Sequence, residues 1–389
     1  MKTSIDRVMK MMAIPGRSGE EGPIMRFIMD ELAGAGLPKS AMRFDPVHRR
    51  CGIGEIGALV VKLSGATGRT REPRRLLMAH VDTVPLCVGC KPVRRGGWIR
   101  SANSATALGS DNRSGAAAVL TAAATILKDK LPHPPLTFPW TVQEEVGLRG
   151  VRHMSIAPLG KPVLAFNFDG STPARLTIGA TGAYRMMIEV QGIASHAGMH
   201  PELGASAINI TALAISELHK GGWLGLVKKG NRSGTANVGV IQGGEATNVI
   251  TPCVTLRAEV RSHDKRFRAV MLKQVTSAFE KAARQVRNVA GSTGKVRFDI
   301  QHDYESFRLK ENDACVREAA GAVRSVIGRE PELVVVNGGL DANWMTERGI
   351  PTVSLGAGGH GAHTVDEALN IKEFEQACGI ALCLAGGMR

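Results

Sequence analysis

The stretch "LLMAHVDTVP" at residues 76–85 places an imidazole and a carboxylate at the end of an apolar run. Alternate residues of a strand project to the same face, so His80 and Asp82 would lie on one side, roughly 7 Å apart. One ring nitrogen of His80 could then bind a metal ion while Asp82 orients the ring through the other nitrogen. Taken alone, the pair is a weak signal, and an ordinary histidine at a strand end is the better explanation of it.

Other acidic and histidine residues are placed in the same way along the chain. Asp111 precedes an Ala-rich helix, Glu144 and Glu145 follow one apolar run, Asp169 follows another, and His363 follows a third. Because the carboxyl ends of parallel strands share one edge of an α/β sheet, we expect these side chains to converge. Carboxylates brought together repel one another unless some are protonated or cations intervene. Since His, Asp and Glu are ligands of zinc-type metals, the sequence predicts a site for a pair of divalent cations.

Each of these residues also has a purely structural explanation. Asp111 could be the N-cap of the helix that follows it, and Asp169, which precedes a glycine, could form a turn. The glutamates of "QEE" could lie in a solvated loop, and His360 is an alternative to His363. The shared position of all of them after strands, in this order, is what favours the metal site.

The segments around these residues predict a covered α/β sheet, because strands alternate with helices. An Ala-rich helix is predicted at 114–129, and a final helix at "IKEFEQACGIALCLAGG". Strands are predicted at 57–65, 74–81, 135–142, 161–169, "ELVVVNGG" and "PTVSLGAGG".

The pattern changes near Gly179. From there the chain reads strand, helix, strand, strand, helix, strand, which is the order of a ferredoxin-like α+β unit. We therefore expect a catalytic domain in two parts, residues 1–180 and 304–389, with an inserted α+β domain at 181–303.

Two capping boxes are predicted from local sequence. Ser18 with Glu21 would begin an amphipathic helix that ends at Gly34 or Gly36, and Thr364 with Glu367 would begin the last helix.

The bulk composition bounds the class of protein. The chain has 389 residues, a net charge of +14 and an aromatic content of 4%, and its length favours two domains. Its basic clusters are short and are not interleaved with aromatic residues, so no nucleic-acid partner is expected. No apolar run approaches the ~18 residues of a membrane span, and no signal peptide is predicted. The seven scattered cysteines favour a reducing compartment, so we expect a cytoplasmic protein.

The same residues lie in motifs that together resemble a known family, the dinuclear zinc peptidases that include aminoacylase, glutamate carboxypeptidases and peptidase T. The resemblance covers nearly the whole chain and is greatest to the peptidase T-like branch. The motifs are "AHVDTV" (79–84), "LGSDNRSGAAA" (108–118), "TVQEEVGLRG" (141–150), "FNFDG" (166–170), "SHAGMHPELGASAI" (195–208), "NVGVIQGGEATNVI" (237–250), "NGGLDANWM" (337–345) and "GAHTVDE" (361–367).

The resemblance implies a zinc-peptidase-like fold, in which helices flank a mixed sheet and an inserted lid and dimerisation domain is present. It implies two divalent metal ions, with zinc expected and cobalt or manganese as alternatives. His80, Asp111 and Asp169 match the ligands of one metal. Asp111, Glu145 and His363 match the ligands of the other, so that Asp111 bridges the two.

The resemblance also implies roles beyond metal binding. Glu144 matches the general base, and Asp82 matches the residue that orients the first histidine ligand. His196, in the inserted domain, matches a residue that reaches the partner subunit's site and stabilises the oxyanion. Asn248 and Arg261 match lid positions that contact substrate, and a homodimer would form through the inserted domain.

The chain departs from the family pattern at two places. A second Asp commonly follows the bridging one, but this chain has Asn112, which removes a charge and no ligand. Cys87 and Cys90 follow the first motif, where we interpret them as ordinary thiols, with a redox-sensitive loop as the alternative. The family often has a cis peptide after the bridging residue, here Asp111–Asn112.

The function implied by the resemblance is metal-assisted hydrolysis of a peptide bond in short peptides, as by a tripeptide aminopeptidase. An N-acyl-amino-acid deacylase or a carboxypeptidase of the same family is the alternative. A different class of protein, non-catalytic or associated with nucleic acid through its basic charge, is the second alternative.

Overall fold

The architecture is known from a computed structural model, which describes residues 2–386. Its helices are α1 (Lys2–Ala13), α2 (Gly22–Gly34), α3 (Val47–Cys51), α4 (Ser110–Asp129), α5 (Arg149–His153), α6 (Ala207–Lys220), α7 (Lys265–Gln285), α8 (Ala314–Ile327), α9 (Asp341–Glu347) and α10 (Ile371–Leu384). Its strands are β1 (Met42–Phe44), β2 (Leu59–Leu63), β3 (Arg75–His80), β4 (Pro92–Arg95), β5 (Trp98–Ser101), β6 (Leu136–Thr141), β7 (Leu164–Phe168), β8 (Arg175–Ala180), β9 (Gly182–Gln191), β10 (Gly225–Lys229), β11 (Arg232–Gly243), β12 (Cys253–Ser262), β13 (Lys295–Tyr304), β14 (Phe307–Arg308), β15 (Glu332–Val336), β16 (Thr352–Leu355), β17 (Gly359–His360) and β18 (Ala368–Asn370).

The first of two units comprises the chain up to Ala180, Phe307–Val336 and the chain from Leu340 onward. Its main sheet has the order β1-β2-β6-β3-β7-β16-β8-β14, and β15 also pairs with β8. Every residue of β6 and β7 is buried, as expected for apolar strands inside a sheet covered by helices. Helices α4, α8 and α10 pack on this sheet, and α10 also packs against both α4 and α8, which confirms the predicted α/β fold.

The pairing at the centre of the main sheet fixes which strand ends meet. Strand β3 runs parallel to β6 on one side and to β7 on the other, so the carboxyl ends of all three lie at one edge. A smaller sheet has the order β17-β18-β5-β4. The connection between β17 and β18, residues 361–367, is the loop that carries His363.

The second unit comprises Thr181–Ser306 together with Asn337–Gly339. Its antiparallel sheet has the order β10-β11-β12-β9-β13, and α6 and α7 pack against it. The β-α-β-β-α-β order expected from the sequence is therefore present, with β10 added at one edge as a hairpin with β11. The sequence places the end of this segment at 303, whereas the unit of the structure extends to Ser306.

Both predicted capping boxes are wrong. The N-cap of α2 is Glu21, which makes no side-chain cap hydrogen bond, although α2 ends at Gly34 as predicted. Helix α10 begins after Asn370, whose side chain accepts a hydrogen bond from the backbone N–H of Glu373. Ser18, Glu21 and Glu367 instead make distant contacts around the candidate site.

Within residues 2–386, none of the helices combines the length and the apolar character needed to cross a membrane.

Candidate metal centre

The carboxyl ends of β3, β6 and β7 bring the predicted metal ligands together. His80 is the last residue of β3, Glu144 and Glu145 follow β6, and Asp169 directly follows β7. The backbone N–H of Asp169 donates to the carbonyl of Leu355 on the neighbouring strand β16 at 2.8 Å. Four of the candidate side chains are therefore positioned by one sheet edge, as the sequence predicts.

Asp111 lies between the two histidines. Its Oδ1 is 3.3 Å from Nε2 of His80, and its Oδ2 is 3.5 Å from Nε2 of His363. Nε2 of His363 also lies 2.9 Å from Oε1 of Glu145. Each oxygen of Asp111 thus faces a different histidine, which is the arrangement that a bridging carboxylate requires.

Overlapping groups of side chains offer ligand atoms within 4.8 Å of one another. One group is His80, Asp111 and Asp169, and another is Asp111, Glu145 and His363. These are the two predicted ligand sets, and they share Asp111. A third group is His80, Glu144 and Glu145, so Glu144 also lies within reach of this cluster.

Asp169 provides a direct test of whether cations fit. Its Oδ2 is buried and has no hydrogen-bond partner among the residues that the structure describes. A buried carboxylate oxygen without a partner is unfavourable by about 1–3 kcal/mol or more. A cation held by Asp169, His80 and Asp111 would satisfy this atom, and the His and carboxylate donors suit zinc-type metals.

Asp82 fixes both the first histidine and the loop that carries the two glutamates. Its Oδ1 lies 3.3 Å from Nδ1 of His80, which leaves Nε2 directed at Asp111. The backbone N–H groups of Glu144 and Glu145 donate to its carboxylate at 3.0 and 3.1 Å, and the Ser18 hydroxyl donates at 2.6 Å. Burial opposes the ionisation of Asp82, but these hydrogen bonds outweigh it and lower its pKa.

Glu21, near the start of the chain, holds the turn that precedes Glu144 and Glu145. The carboxylate of Glu21 accepts hydrogen bonds from the backbone N–H groups of Gln143 and Gly19 at 3.2 and 2.8 Å. Gln143 has a φ of 56°, a left-handed conformation that non-glycine residues adopt only when their surroundings fix it. Glu21 and Asp82 together therefore bind three successive N–H groups and set the direction of Glu144 and Glu145.

The start of α4 is pressed against the end of β7. A Cβ at Gly115 would lie 1.9 Å from the carbonyl oxygen of Phe168, so only glycine permits this approach. The Asn112 amide donates to the same carbonyl at 2.7 Å, and its Oδ1 accepts from the N–H of Gly115 at 3.1 Å. An ionised Asp at 112 could not donate the first of these bonds. The expected cis peptide between Asp111 and Asn112 is confirmed.

Glu367 contributes to the site in a way that the sequence did not reveal. Its buried carboxylate accepts hydrogen bonds from the backbone N–H of Gly109 at 2.7 Å, the Ser110 hydroxyl at 2.6 Å and the backbone N–H of Asp111 at 2.9 Å. The acidic residue at the end of "GAHTVDE" fits a capping pattern for the last helix, but it binds the start of α4 instead, and a partner so distant in the sequence leaves no trace in local spacing.

Burial dominates the electrostatics of the acidic groups. It raises the pKa of Glu144 well above its usual range, raises that of Glu145, and raises that of Asp169 to about 7. The hydrogen bond that His363 donates to the carboxylate of Glu145 raises the pKa of His363 to about 9. Burial opposes the charge of His80, but Asp111 and Asp82 outweigh it and raise its pKa. Without cations, this cluster therefore retains protons at neutral pH.

The chelated protein should lose stability as pH rises from about 5 to 8. Asp341, the first residue of α9, accepts a hydrogen bond from the Thr141 hydroxyl at 2.6 Å, and burial raises its pKa to about 6. This value and those of Asp169 (about 7) and His363 (about 9) exceed the ordinary values, which are about 3.9 for Asp and 6.5 for His. The folded state then binds more protons than the unfolded state, so the free energy of unfolding falls as pH rises. We expect Tm in chelator to fall by about 5 °C over this range.

Excess zinc should reverse this trend, because the ligands must lose protons to bind a cation. A series of thermal melts at constant ionic strength, with and without metal, checks both slopes. A Tm that is independent of pH in chelator would contradict the proton-retaining cluster.

Three predicted residues lie in the second unit. His196 is exposed, and its Nδ1 accepts hydrogen bonds from the backbone N–H groups of Gly198 and Met199 at 3.2 and 3.0 Å. Because Nδ1 accepts these bonds, Nε2 is the ring nitrogen that is left to act as a donor. Asn248, also exposed, lies on the adjacent segment, where its carbonyl accepts from the N–H of Ala197 at 2.8 Å. The structure thus brings His196 and Asn248 onto neighbouring segments.

Arg261 is separated from these two in the sequence and is already engaged. Its Nε and Nη2 lie 2.9 and 3.0 Å from the two carboxylate oxygens of Glu259. Its role in substrate contact stays a prediction.

Cys87 and Cys90 are buried beside the loop that leads to Asp111. Burial raises the pKa of Cys87 to about 12 and also raises that of Cys90. Such thiols are largely unreactive at neutral pH, which favours the interpretation of both as ordinary core residues. All seven cysteines, each within the described part of the chain, are free thiols.

The sequence profile of peptidase family M20/M25/M40 matches residues 76–386. A Bacillus subtilis (strain 168) protein named YqjE, itself uncharacterized, is 33% identical over 300 residues, which are 76% of this chain and 76% of that protein.

Two solved structures are similar over almost the whole chain. A tripeptidase from Staphylococcus aureus has a TM-score of 0.87 and 28% identity, over 99% of this chain and 97% of that one. The aminopeptidase PepT from Bacillus cereus has a TM-score of 0.85 and 26% identity, over 99% and 98%.

Proposed function

The chain belongs to peptidase family M20/M25/M40 and is a hydrolase of peptide bonds, and we propose that it is a metal-dependent aminopeptidase that releases the first residue of short peptides, tripeptides above all. The proposal rests mainly on the position of Asp111, which belongs to both ligand groups and has each carboxylate oxygen facing a different histidine. The similarity to a tripeptidase and to an aminopeptidase supports the substrate class.

The two ligand groups would hold two divalent cations, one with His80, Asp111 and Asp169 and one with Asp111, Glu145 and His363. We propose zinc, with cobalt or manganese as substitutes, because all three accept imidazole and carboxylate ligands. When bound, such a pair lowers the pKa of a water molecule and polarises the scissile carbonyl.

Glu144 would act as the general base. It follows β6 beside Glu145, its backbone N–H is fixed by Asp82, and its carboxylate offers an oxygen within 4.8 Å of ligand atoms of His80 and Glu145. Burial holds its pKa well above the usual range, which suits a group that accepts a proton from the attacking water and then delivers it to the leaving amine. Nearby cations would keep it ionised before the reaction.

Substrate would enter beside the bridging carboxylate. A cavity of about 210 Å³ is lined by residues that include Asp111, Asn112, Gly170 and His360. We propose that this cavity receives a small part of the peptide. Asn248 and Arg261 would contact the remainder of the peptide if the second unit acts as a lid.

We also propose a cytoplasmic location, because the cysteines are free thiols.

A homodimer would form through the second unit. Strand β10 pairs with residues 232–236 of β11. In the described part of the chain, residues 237–243 of β11 pair only with β12, so they form an open edge of the sheet. An apolar groove of about 600 Å³ lies here, lined by Ile208, Ile215, Ile241 and Val254 among others. Ile208 and Ile241 are about half exposed, at 46% and 53%. An open strand edge beside an apolar groove fits a second copy of the same surface.

His196 would complete the site of the partner subunit by donating from Nε2 to the oxyanion. His196→Ala should therefore lower kcat by about 10²–10³-fold, as removal of an oxyanion donor does. Mixing this variant with Glu144→Gln subunits should restore about a quarter of wild-type activity, because half of the dimers would be mixed and each would hold one complete site.

Native mass spectrometry would verify that subunits have exchanged before activity is measured. If mixed dimers form and remain inactive, His196 acts within its own chain or has no such role.

A substrate panel on zinc-reconstituted protein tests the proposed function. We expect Ala-Ala-Ala to yield alanine and Ala-Ala, and N-acetyl-Ala-Ala-Ala to be resistant, because an aminopeptidase requires a free amino terminus. Release of the C-terminal residue would indicate a carboxypeptidase instead, and hydrolysis of N-acetyl amino acids a deacylase.

A further inference from the structure

The start of helix α4 is capped by a residue that lies far away in the sequence. The first N–H groups of a helix have no partner within it and are usually bound by the side chain of the N-cap residue. Here the N-cap is Gly109, which has no side chain and a φ of 76°. The carboxylate of Glu367, 2% exposed, accepts from the N–H groups of Gly109 and Asp111 and from the hydroxyl of Ser110.

The loop that provides this carboxylate also provides a predicted metal ligand. Glu367 and His363 both lie between β17 and β18, four residues apart. Oδ2 of Asp111 faces Nε2 of His363 at 3.5 Å, while the backbone N–H of Asp111 is bound by Glu367 at 2.9 Å. One short loop therefore contacts both the side chain and the main chain of Asp111.

We propose that Glu367 is a positioning residue, which holds the bridging carboxylate of Asp111 at a fixed spacing from His363. This inference rests on the proposed function, since it concerns the two-cation cluster. The second ligand group, Asp111, Glu145 and His363, depends on it most, because His363 lies on the loop and is half exposed. The first group retains His80 and Asp169, which are both fixed by strands.

A purely structural cap would have a different signature. Losing a helix cap lowers the stability of the protein whether or not metal is present. Losing a positioning residue lowers the affinity for the second cation beyond any change in the metal-free protein. The two measurements needed are therefore Tm in chelator and the two stepwise zinc affinities, determined by competition with a chromophoric chelator.

The test uses full-length Glu367→Gln, with Asp366→Asn as the matched control. Asp366 is the exposed neighbour of Glu367, so this variant makes the same change of charge outside the contact. We expect Glu367→Gln to weaken the second zinc by about 10–100-fold, the usual effect of losing a residue that supports a ligand. The first zinc should change less, and the control should bind both as the wild type does.

Ser110→Ala and Glu367→Asp keep the test decisive if Glu367→Gln folds poorly. Ser110→Ala removes one donor and leaves the carboxylate, so it should weaken the second zinc several-fold, and Glu367→Asp should retain part of the affinity. Wild-type affinities in Glu367→Gln and Ser110→Ala, or a fall in the chelated Tm with unchanged second-zinc affinity, would overturn the proposal. Failure of the wild-type protein itself to bind two zinc ions would instead overturn the proposed function.

Discussion

Glu144→Gln should lower kcat by about 10²–10⁴-fold while the protein still binds two zinc ions. Glutamine has the shape of glutamate but cannot accept a proton from water, so the step assigned to Glu144 would be lost. The predicted ligand sets do not include Glu144, and its loop is held by backbone contacts to Asp82 that the substitution leaves intact. Steady-state kinetics and metal content by plasma mass spectrometry measure the two effects separately.

The suitable control is Glu347→Gln, which makes the same substitution at an exposed position at the end of α9. It should leave both kcat and metal content unchanged. Near-wild-type activity of Glu144→Gln would refute the base assignment. Loss of a zinc ion would show that Glu144 is a ligand, as its membership of the group with His80 and Glu145 would permit.

Asp111→Ala should remove almost all activity and leave no pair of tightly bound cations. Asp111 is the one residue common to the two predicted ligand sets, so its loss weakens both sites, whereas His363→Ala should weaken only one. We expect kcat/KM to fall by at least about 10³-fold, because ligands and cations act as a unit and not additively. Zinc titration followed by calorimetry would show the difference in stoichiometry between the two variants.

The chelated Asp111→Ala protein should have a Tm close to that of the chelated wild type, because two effects of the substitution oppose each other. The charge of Asp111 raises the pKa of both Asp169 and Glu145, so its removal relieves repulsion among buried carboxylates, but the same carboxylate also stabilises the protonated ring of His80. A Tm several degrees below wild type in chelator would mean that Asp111 is mainly structural. Two tight zinc ions in this variant would contradict the bridging role.

The sequence predicts the parts of the site that local patterns determine. His80 and Asp169 terminate apolar runs that form buried strands, and parallel strands bring their carboxyl ends to one edge. The convergence of these residues with Glu144 and Glu145 follows from the fold class alone. Asp111 could be placed near them because it begins the helix that packs on the same sheet.

The contacts that orient these side chains were not predictable by the same reasoning. Ser18 and Glu367 each fit a capping pattern with a residue three positions away, but distant groups near the site bind them instead. Ser18 donates to Asp82, 64 residues away, and Glu367 accepts from Asp111, 256 residues away. Local spacing contains no information about such partners.

The hairpin that adds β10 to the sheet has a recognisable signal in the sequence. Lys229 and Arg232 are paired across the two-residue loop Gly230–Asn231, and a loop of this composition is typical of tight β-hairpins. The strand itself, "GLVKK", is short and mostly exposed, so its hydrophobic pattern is weak. The hairpin turn was therefore the better predictor of this edge of the sheet.

Anomalous diffraction at the zinc edge, from crystals of the zinc-loaded protein, would show whether five side chains hold two cations with one shared carboxylate. We expect two anomalous peaks about 3.5–4 Å apart, one beside His80 and Asp169, the other beside Glu145 and His363, with Asp111 between them. A single peak, or peaks remote from these residues, would contradict this arrangement.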